Sequence, residues 1–420
     1  MNTPQGGVAL AALRLDDAEL IESGDPGGML RQVASSAAQV RTALRACAET
    51  DLSQLSPEVR PRAIVVVGSG GAGGAVFAAD ALAAICGAGA RVQVTGVSGY
   101  QLPGWVGATD LVVSVSRSGH TAETLVLAGE AARRGCGLIG VGASGSPLQD
   151  LTARARGTFI PATTVGPARA MAWALTIPLV VAAARLGVIR IEEADYEAAA
   201  ALMEDVSHQC RPSSESFVNP AKSLALDLIG RLPMIWGGSD LAAAAARRFA
   251  SQLAANAKYP AISGVLPAAG HDQVATFDGP YAPPPEPVFP AAEDFGSLGG
   301  LSDDGGFDDG HFDSFTDSDE DELGLDGTPV DEAQLRLVLL ADAAGEHPVV
   351  ERTRMAAASV AQARGIDVSE IAMEGGGPLR RLAGMVQLTD YASVYLGIAC
   401  GIDPLAIAAI KDLRDLTGRE

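Results

Sequence analysis

Residues 114–124 read SVSRSGHTAET and follow the short apolar run ATDLVV. Ser116, Ser118 and Thr121 offer three hydroxyl donors, and Gly119 lets the backbone come close to a bound group. At the mouth of a strand-to-helix turn, such hydroxyls beside free backbone N–H groups make a cradle for an anion such as a phosphate. Glu123 fits the first helical turn, where an acid complements the helix dipole. The plainer reading is an N-cap and a polar turn, which any strand–helix loop can carry. A second chemical residue is His271 in AAGHDQV, one of five histidines. Between a glycine-rich loop and an acid it is suited to move protons near neutral pH, or it is a loop histidine packed for shape.

These residues need elements to hold them. From 62 to 190, apolar runs alternate with helix-length segments: RAIVVV, RVQVTGV, DLVVSVS, CGLIGVGA and TFIPAT are strand-like. Strand–helix alternation predicts parallel βαβ units and a doubly wound α/β sheet, whose ligands bind at the carboxyl ends of the strands. The glycine turn GSGGAGG (68–74) and the SRSGHT turn (116–121) both lie at such ends. The pattern returns in RLPMIWGGSD, LRLVLLAD and DVSEIAME, with helices at 241–258 and 378–401. Two similar α/β domains are expected, joined near the acidic helix 191–206. The division is a 1–30 N-terminal extension, a first domain over 31–190 and a second over 191–420.

Bulk composition narrows the partners. The chain has 420 residues, 48% hydrophobic and 19% charged, enough apolar content for a large core. A formal net charge of −21 argues against nucleic acid or an anionic membrane as a general partner. The N-terminus has no basic n-region, so no signal peptide is read. AMAWALTIPLVVAAA (170–184) falls short of the ~20 residues a bilayer span needs and reads as a buried core helix. Cys47, Cys86, Cys136, Cys210 and Cys400 are scattered without CxxC spacing, as reduced thiols of a cytoplasmic protein would be. Residues 279–330 are rich in proline, glycine and acid, and are expected to be a disordered acidic insertion. They lack the spacing of an EF-hand loop, so a solvated loop is preferred over a calcium site.

The string S-R-S-G-H-T-A-E-T resembles the S-x-S-G-x-T-x-E-T signature of sugar isomerase (SIS) domains, which bind phosphosugars on a flavodoxin-like sheet. GSGGAGG fits the family's other ligand loop and has no acid in register for a dinucleotide. RRFASQLAANAKYPA, LPAAGHDQV and DYASVYLGIACGIDP resemble the bifunctional phosphoglucose/phosphomannose isomerases, over most of residues 60–415 apart from the insertion. The resemblance implies two flavodoxin-like SIS domains, each a mainly parallel sheet flanked by helices. It further implies a phosphosugar ligand, no metal or cofactor, and a homodimer in which one subunit contributes to the other's site.

Aldose–ketose isomerisation needs a group to open the sugar ring, a base to carry a proton between C1 and C2, and a grip on the phosphate. By resemblance, Gly70, Gly71, Ser116, Ser118, Thr121 and Arg169 hold substrate, although Arg169 could instead be a surface cation at a helix entry. His271 corresponds to the ring-opening histidine. The base does not carry over: the family runs Q-x-N-E-N-A-K, and this chain has Ala255 in QLAANAK where the glutamate stands. A family serine is replaced by Ala72 and a C-terminal lysine by Arg414, with Lys411 three residues away able to substitute. Glu123, Asp272 or a water held by His271 are the remaining stand-ins for the base. The sequence thus supports two readings. One is an isomerase interconverting glucose 6-phosphate or mannose 6-phosphate with fructose 6-phosphate. The other is a catalytically impaired phosphosugar-binding regulatory or scaffold protein.

Overall fold

The computed structural model describes residues 4–69, 74–163, 165–283 and 334–417. Most of the 279–330 insertion, and Gly70, Gly71 and Ala72 of the glycine turn, lie outside the described residues. The chain opens with helices α1 (Pro4–Asp16), α2 (Ala18–Gly24), α3 (Met29–Ala34) and α4 (Ser36–Glu49). Then come β1 (Ala63–Val67), α5 (Ala75–Cys86), β2 (Gln93–Val97), β3 (Leu111–Ser116), α6 (Ala122–Arg133), β4 (Gly137–Gly142), α7 (Pro147–Arg154) and β5 (Thr158–Pro161). Helices α8 (Ala172–Arg185), α9 (Glu193–Gln209) and α10 (Pro220–Leu228) lead to β6 (Arg231–Gly237), α11 (Asp240–Gln252) and β7 (Ile262–Val265). The chain closes with β8 (Gln334–Ala341), α12 (Pro348–Gln362), β9 (Asp367–Ala372), α13 (Pro378–Ala399) and α14 (Ala408–Leu416).

Both sheets are wholly parallel, with orders β2-β1-β3-β4-β5 and β7-β6-β8-β9. The first order is that of flavodoxin-like sheets and puts a topological switch point between β1 and β3. There the chain leaves the two strands in opposite directions and opens a crevice at their carboxyl ends. Gly68, which follows β1, and the 116–121 turn lie at those ends. In the second sheet the same position falls between β6 and β8.

The side-chain period of two divides each strand between two cores. Ile64, Val66 and Val113 face a core shared with Ile235, Val338 and Leu340 of the second sheet. Val65, Val112, Leu127 and Leu148 form an outer core under α6 and α7. Met234, Trp236, Leu337 and Ala357 form the corresponding one beneath α12. At the centre of the shared core lies α13, buried almost continuously from Arg381 to Ala399 and packed on α9, α10 and α11. Helices α1 and α3 also pack on α13. The fully buried Lys222 ties them in by donating to the carbonyls of Leu15, Pro212 (2.7 Å) and Ser214 (2.7 Å). The apolar run at 170–184 is the buried α8, and among the described residues no helix is long and apolar enough to cross a membrane.

Two local features depart from the expected pattern. Strand β7 does not stand out in the sequence, being four residues, ISGV, on a sheet edge. The helix expected over 241–258 keeps regular α geometry only to Gln252, then widens into a π-turn over Leu253–Ala257. Lys258 follows in the left-handed region at φ 56°.

Candidate functional site

Strand β3 ends at Ser116, which is buried. Its Oγ accepts the Gly119 N–H (3.0 Å) and pairs with Thr121 Oγ1 (2.8 Å). Ser118 Oγ accepts the His120 N–H at 3.2 Å. Thr121 occupies the N-cap position of α6, and its own side chain makes no capping hydrogen bond to that helix. The three hydroxyls therefore gather at the positive end of the helix dipole, with the first-turn amides of α6 behind them. Glu123 lies in that first turn. Ser116, Ser118 and Thr121 are thus brought into one loop.

Two glycines make the close approach possible. Gly119 has φ +70°, and a Cβ there would lie 2.1 Å from Ser146 Oγ. At Gly68 a Cβ would lie 2.4 Å from the Val115 carbonyl oxygen, so β1 and β3 meet tightly at the switch point. Gly119→Ala is therefore expected to abolish ligand-induced thermal stabilisation and to lower the unliganded Tm by several degrees. Differential scanning fluorimetry with and without fructose 6-phosphate checks both effects.

The corresponding crevice of the second sheet is filled by the protein itself. Ser239, the N-cap of α11, donates to Asp342 Oδ2 (2.8 Å), and the Arg381 guanidinium holds Asp342 Oδ1 (2.6 Å). Glu346 accepts the Asp342 N–H (3.2 Å) and is clamped by Arg354 (3.1 Å). Asp342 is fully buried. Asp342 and Glu346, each paired with an arginine, thus occupy this crevice with the protein's own charged side chains.

Arg169 follows β5 in a short 3₁₀ turn, Ala168–Ala170, at the same carboxyl edge as the cradle. It is not a surface cap. Its Nε donates to Asn256 Oδ1 (2.8 Å) and its Nη2 to the Pro404 carbonyl (2.7 Å), both in the second half of the chain. Its own carbonyl accepts from Arg248 Nη2 (2.9 Å) and Gln252 Nε2 (3.2 Å). Arg248 in turn forms a buried bidentate pair with Asp390 (2.6 and 3.0 Å) and stacks on Phe77 in the first turn of α5. A continuous chain of contacts thus runs from the helix after the glycine turn to Arg169.

Ala255 lies half-buried in the π-turn beside this cluster. Lys258 Nζ reaches back to the Ala255 carbonyl (2.9 Å) and, more loosely, to those of Asp403 (3.3 Å) and Pro404 (3.4 Å). Burial pushes the Arg169 guanidinium below its ordinary range, with Asp403 opposing. Burial and then the neighbouring Arg169 push Lys258 down, again opposed by Asp403. A π-turn and a left-handed non-glycine residue at one place are features that concentrate at functional sites. Lys258 and Asp403 were not singled out from the sequence. Lys258 sits inside the QLAANAK string and Asp403 inside GIDP, but the meeting of Lys258 with the Asp403–Pro404 segment comes from chain folding.

His271 ends a 3₁₀ turn, Ala268–Gly270, beyond β7 and is exposed. Its ring makes no hydrogen bond among the described residues. The loop is held by its neighbours: Asp272 caps the next turn through Gln273 N–H (2.6 Å), and Gln273 accepts from Trp236 Nε1 (2.7 Å). Lys411 and Arg414 lie on α14, none of whose residues is buried. The structure therefore groups Ser116, Ser118 and Thr121 at one point and Arg169 with Ala255 at another, and leaves His271 and Lys411 on outward-facing elements. Among the described residues no group of three or more His, Cys, Asp or Glu could hold a metal ion.

Comparison with known proteins fits this geometry. Residues 217–416 match the family model of the bacterial phospho-glucose isomerase C-terminal SIS domain. A bifunctional phosphoglucose/phosphomannose isomerase from Caldicellulosiruptor bescii is 28% identical over 181 residues. That match covers 43% of this chain and 53% of the relative, about half the relative's length. Among solved structures, a hypothetical protein from Thermus thermophilus superposes with TM-score 0.63 at 15% identity, covering 98% of this chain and 93% of that one. A glucose-6-phosphate isomerase from Chlamydia trachomatis superposes with TM-score 0.61 at 10% identity, covering 99% and 85%. At such identities these two speak for the fold alone. With its two parallel sheets, the SIS-domain match over residues 217–416 and the isomerase relative, the chain is similar to the bifunctional phosphoglucose/phosphomannose isomerases.

Proposed function

We propose that this chain binds a phosphosugar, with the phosphate held by Ser116, Ser118, Thr121 and the start of α6, and that it turns the sugar over slowly at most. The observation that carries the reading is the gathering of three hydroxyls in the loop that leads into the α6 N-terminus, where the N-cap Thr121 side chain makes no capping bond. Ala255 supports the second half, because a methyl group cannot move a proton. Proton-transfer groups contribute ~10²–10⁴ in rate, so loss of the base takes away most of an isomerase's activity. The binding is tested by thermal shift with fructose 6-phosphate against fructose and against inorganic phosphate. Stabilisation by the phosphosugar beyond that given by phosphate supports the reading, and equal shifts overturn it.

The second reading is the active isomerase, interconverting glucose 6-phosphate or mannose 6-phosphate with fructose 6-phosphate. It is favoured by His271, which has no internal task for its ring. In that reading His271 opens the ring, and Lys411 or Asp403 joins the proton relay. A coupled assay on both aldose phosphates, with His271→Ala as control, decides between the two.

A homodimer belongs to the proposal. Ile410, Leu413 and Leu416 recur every three residues on α14 and, with Ile407 at its N-cap, are exposed, Leu416 at 87%. An amphipathic helix keeps such a stripe in order to cover it. The variant Ile410→Asp/Leu413→Asp is expected to run as a monomer in light scattering while the wild type runs as a dimer. A monomeric wild type contradicts the proposal.

A further inference from the structure

The cradle uses the carboxyl edge of the first sheet, and the opposite, amino edge carries a recess of its own. Beneath the starts of β1, β3, β4 and β5 lies a cavity of about 600 Å³, walled by the loop before β1 and by Leu186 after α8. That volume suits a small organic ligand. Strand β3 runs from Leu111 at this cavity to Ser116 in the cradle, about 17 Å away, so a ligand filling one does not reach the other. The floor is apolar, with the buried side chains of Leu55, Leu138 and Leu186. Its charged lining is Arg60, Arg62, Arg156 and one carboxylate, Asp110. Arg62 and Asp110 answer each other through bonds of 2.6 and 2.9 Å. Arg60 and Arg156 are left uncompensated, in a chain whose net charge is −21. Arg60 reaches only the Gly187 carbonyl, at 3.4 Å, and the Arg156 guanidinium has no hydrogen bond or ion pair among the described residues. Arg156 also sits in the left-handed region, at φ 57°, directly after the α7 cap, a position where glycine is the usual residue.

We infer that this cavity binds a purine nucleoside monophosphate, with its phosphate on Arg156 and its base over the leucine floor towards Arg60. Arg60 comes just before β1 and Arg156 just before β5, three strand spacings or about 14 Å apart. Cations so separated suit an elongated ligand, with an anion at one end and hydrogen-bond acceptors at the other. An unpaired guanidinium grips a phosphate through two parallel bonds. The same fork fits the O6 and N7 acceptors of a guanine. The leucines between them ask for a flat apolar body, which a bare sugar phosphate lacks. The inference goes beyond the phosphosugar reading and does not rest on it, because the two sites share no residue.

Isothermal titration of guanosine monophosphate into the full chain tests this, with guanosine and inorganic phosphate as comparisons. The wild type is expected to bind the nucleotide at least tenfold more tightly than either, the discrimination a charge-assisted hydrogen bond carries. Arg156→Gly is expected to weaken that binding tenfold or more. Glycine adopts the left-handed backbone without strain, so its Tm is expected to hold or rise, which separates a lost guanidinium from a lost fold. Arg60→Ala, on a separate segment, is expected to weaken binding several-fold. Ser118→Ala/Thr121→Val, which alters the cradle, is expected to leave nucleotide binding unchanged. Loss of binding in that cradle variant overturns the inference by placing the nucleotide at the other edge. Guanosine or inorganic phosphate binding as tightly as the nucleotide overturns it too. No nucleotide binding by the wild type, or an affinity that neither arginine variant changes, overturns it as well. Each of these results leaves the fructose 6-phosphate titration of the cradle to be read by itself, so the two readings fail separately.

Discussion

Ala255→Glu is expected to raise isomerase turnover of glucose 6-phosphate by about 10²–10⁴ over the wild type, measured in a coupled assay. The π-turn at Leu253–Ala257 already carries residue 255 to the edge of the interdomain cluster. Asn256, fully buried, fixes that turn from both sides: its Oδ1 accepts from Arg169 and its Nδ2 donates to Ser393 Oγ (2.9 Å). A glutamate there inherits a positioned backbone and two nearby cations, which hold it ionised and ready to accept a proton. A variant that still binds fructose 6-phosphate but gains no turnover would mean that the cluster at 255 does not face the sugar's C1–C2 bond.

The second large effect concerns stability. Asp390→Ala is expected to cost about 3–5 kcal/mol, because it strands a buried guanidinium. Arg248 and Asp390 are 2% and 3% exposed, and Arg248 Nη1 has no hydrogen-bond partner among the described residues even with Asp390 in place. The rest of the guanidinium lies against the Phe77 ring, 4.6 Å from its centroid. Net stabilities are ~5–15 kcal/mol, so the loss is a large share of the total. Arg248→Met/Asp390→Leu is expected to recover much of it, since an apolar pair of similar volume avoids the uncompensated charge. Urea unfolding of both variants checks this. A single variant as stable as wild type would contradict the burial of the pair. Because Arg248 also holds the Arg169 carbonyl, Asp390→Ala is further expected to weaken ligand binding.

The sequence carried the parts of this architecture that depend on local pattern. Strands β1 to β5 are runs of small β-branched residues separated by helix-length segments, and their alternation already implies a parallel sheet with turns at its carboxyl edge. Within the cradle, spacing alone brings Ser116 and Thr121 together, five residues apart around Gly119. What was not legible lies between distant segments. Arg169 and Asn256 are 87 residues apart and Arg169 and Pro404 are 235 apart, and no local period encodes such a meeting. The widening of α11 into a π-turn leaves no mark either, because LAANA continues a helical composition without a break. Nor does the second sheet announce that Asp342 and Glu346 fill its crevice; RLPMIWGGSD reads only as a strand followed by a turn. Strand β7 is short and holds a glycine, so its β-propensity is weak, and only pairing with β6 defines it.

The central claim is that phosphate is held by the loop from Ser116 to Thr121. The most direct test is isothermal titration of fructose 6-phosphate into wild type and into Ser118→Ala/Thr121→Val. The account expects saturable binding in the wild type and a loss of at least tenfold in the variant, with fructose itself not binding to either. Equal affinity in wild type and variant would contradict it and move the phosphate site elsewhere.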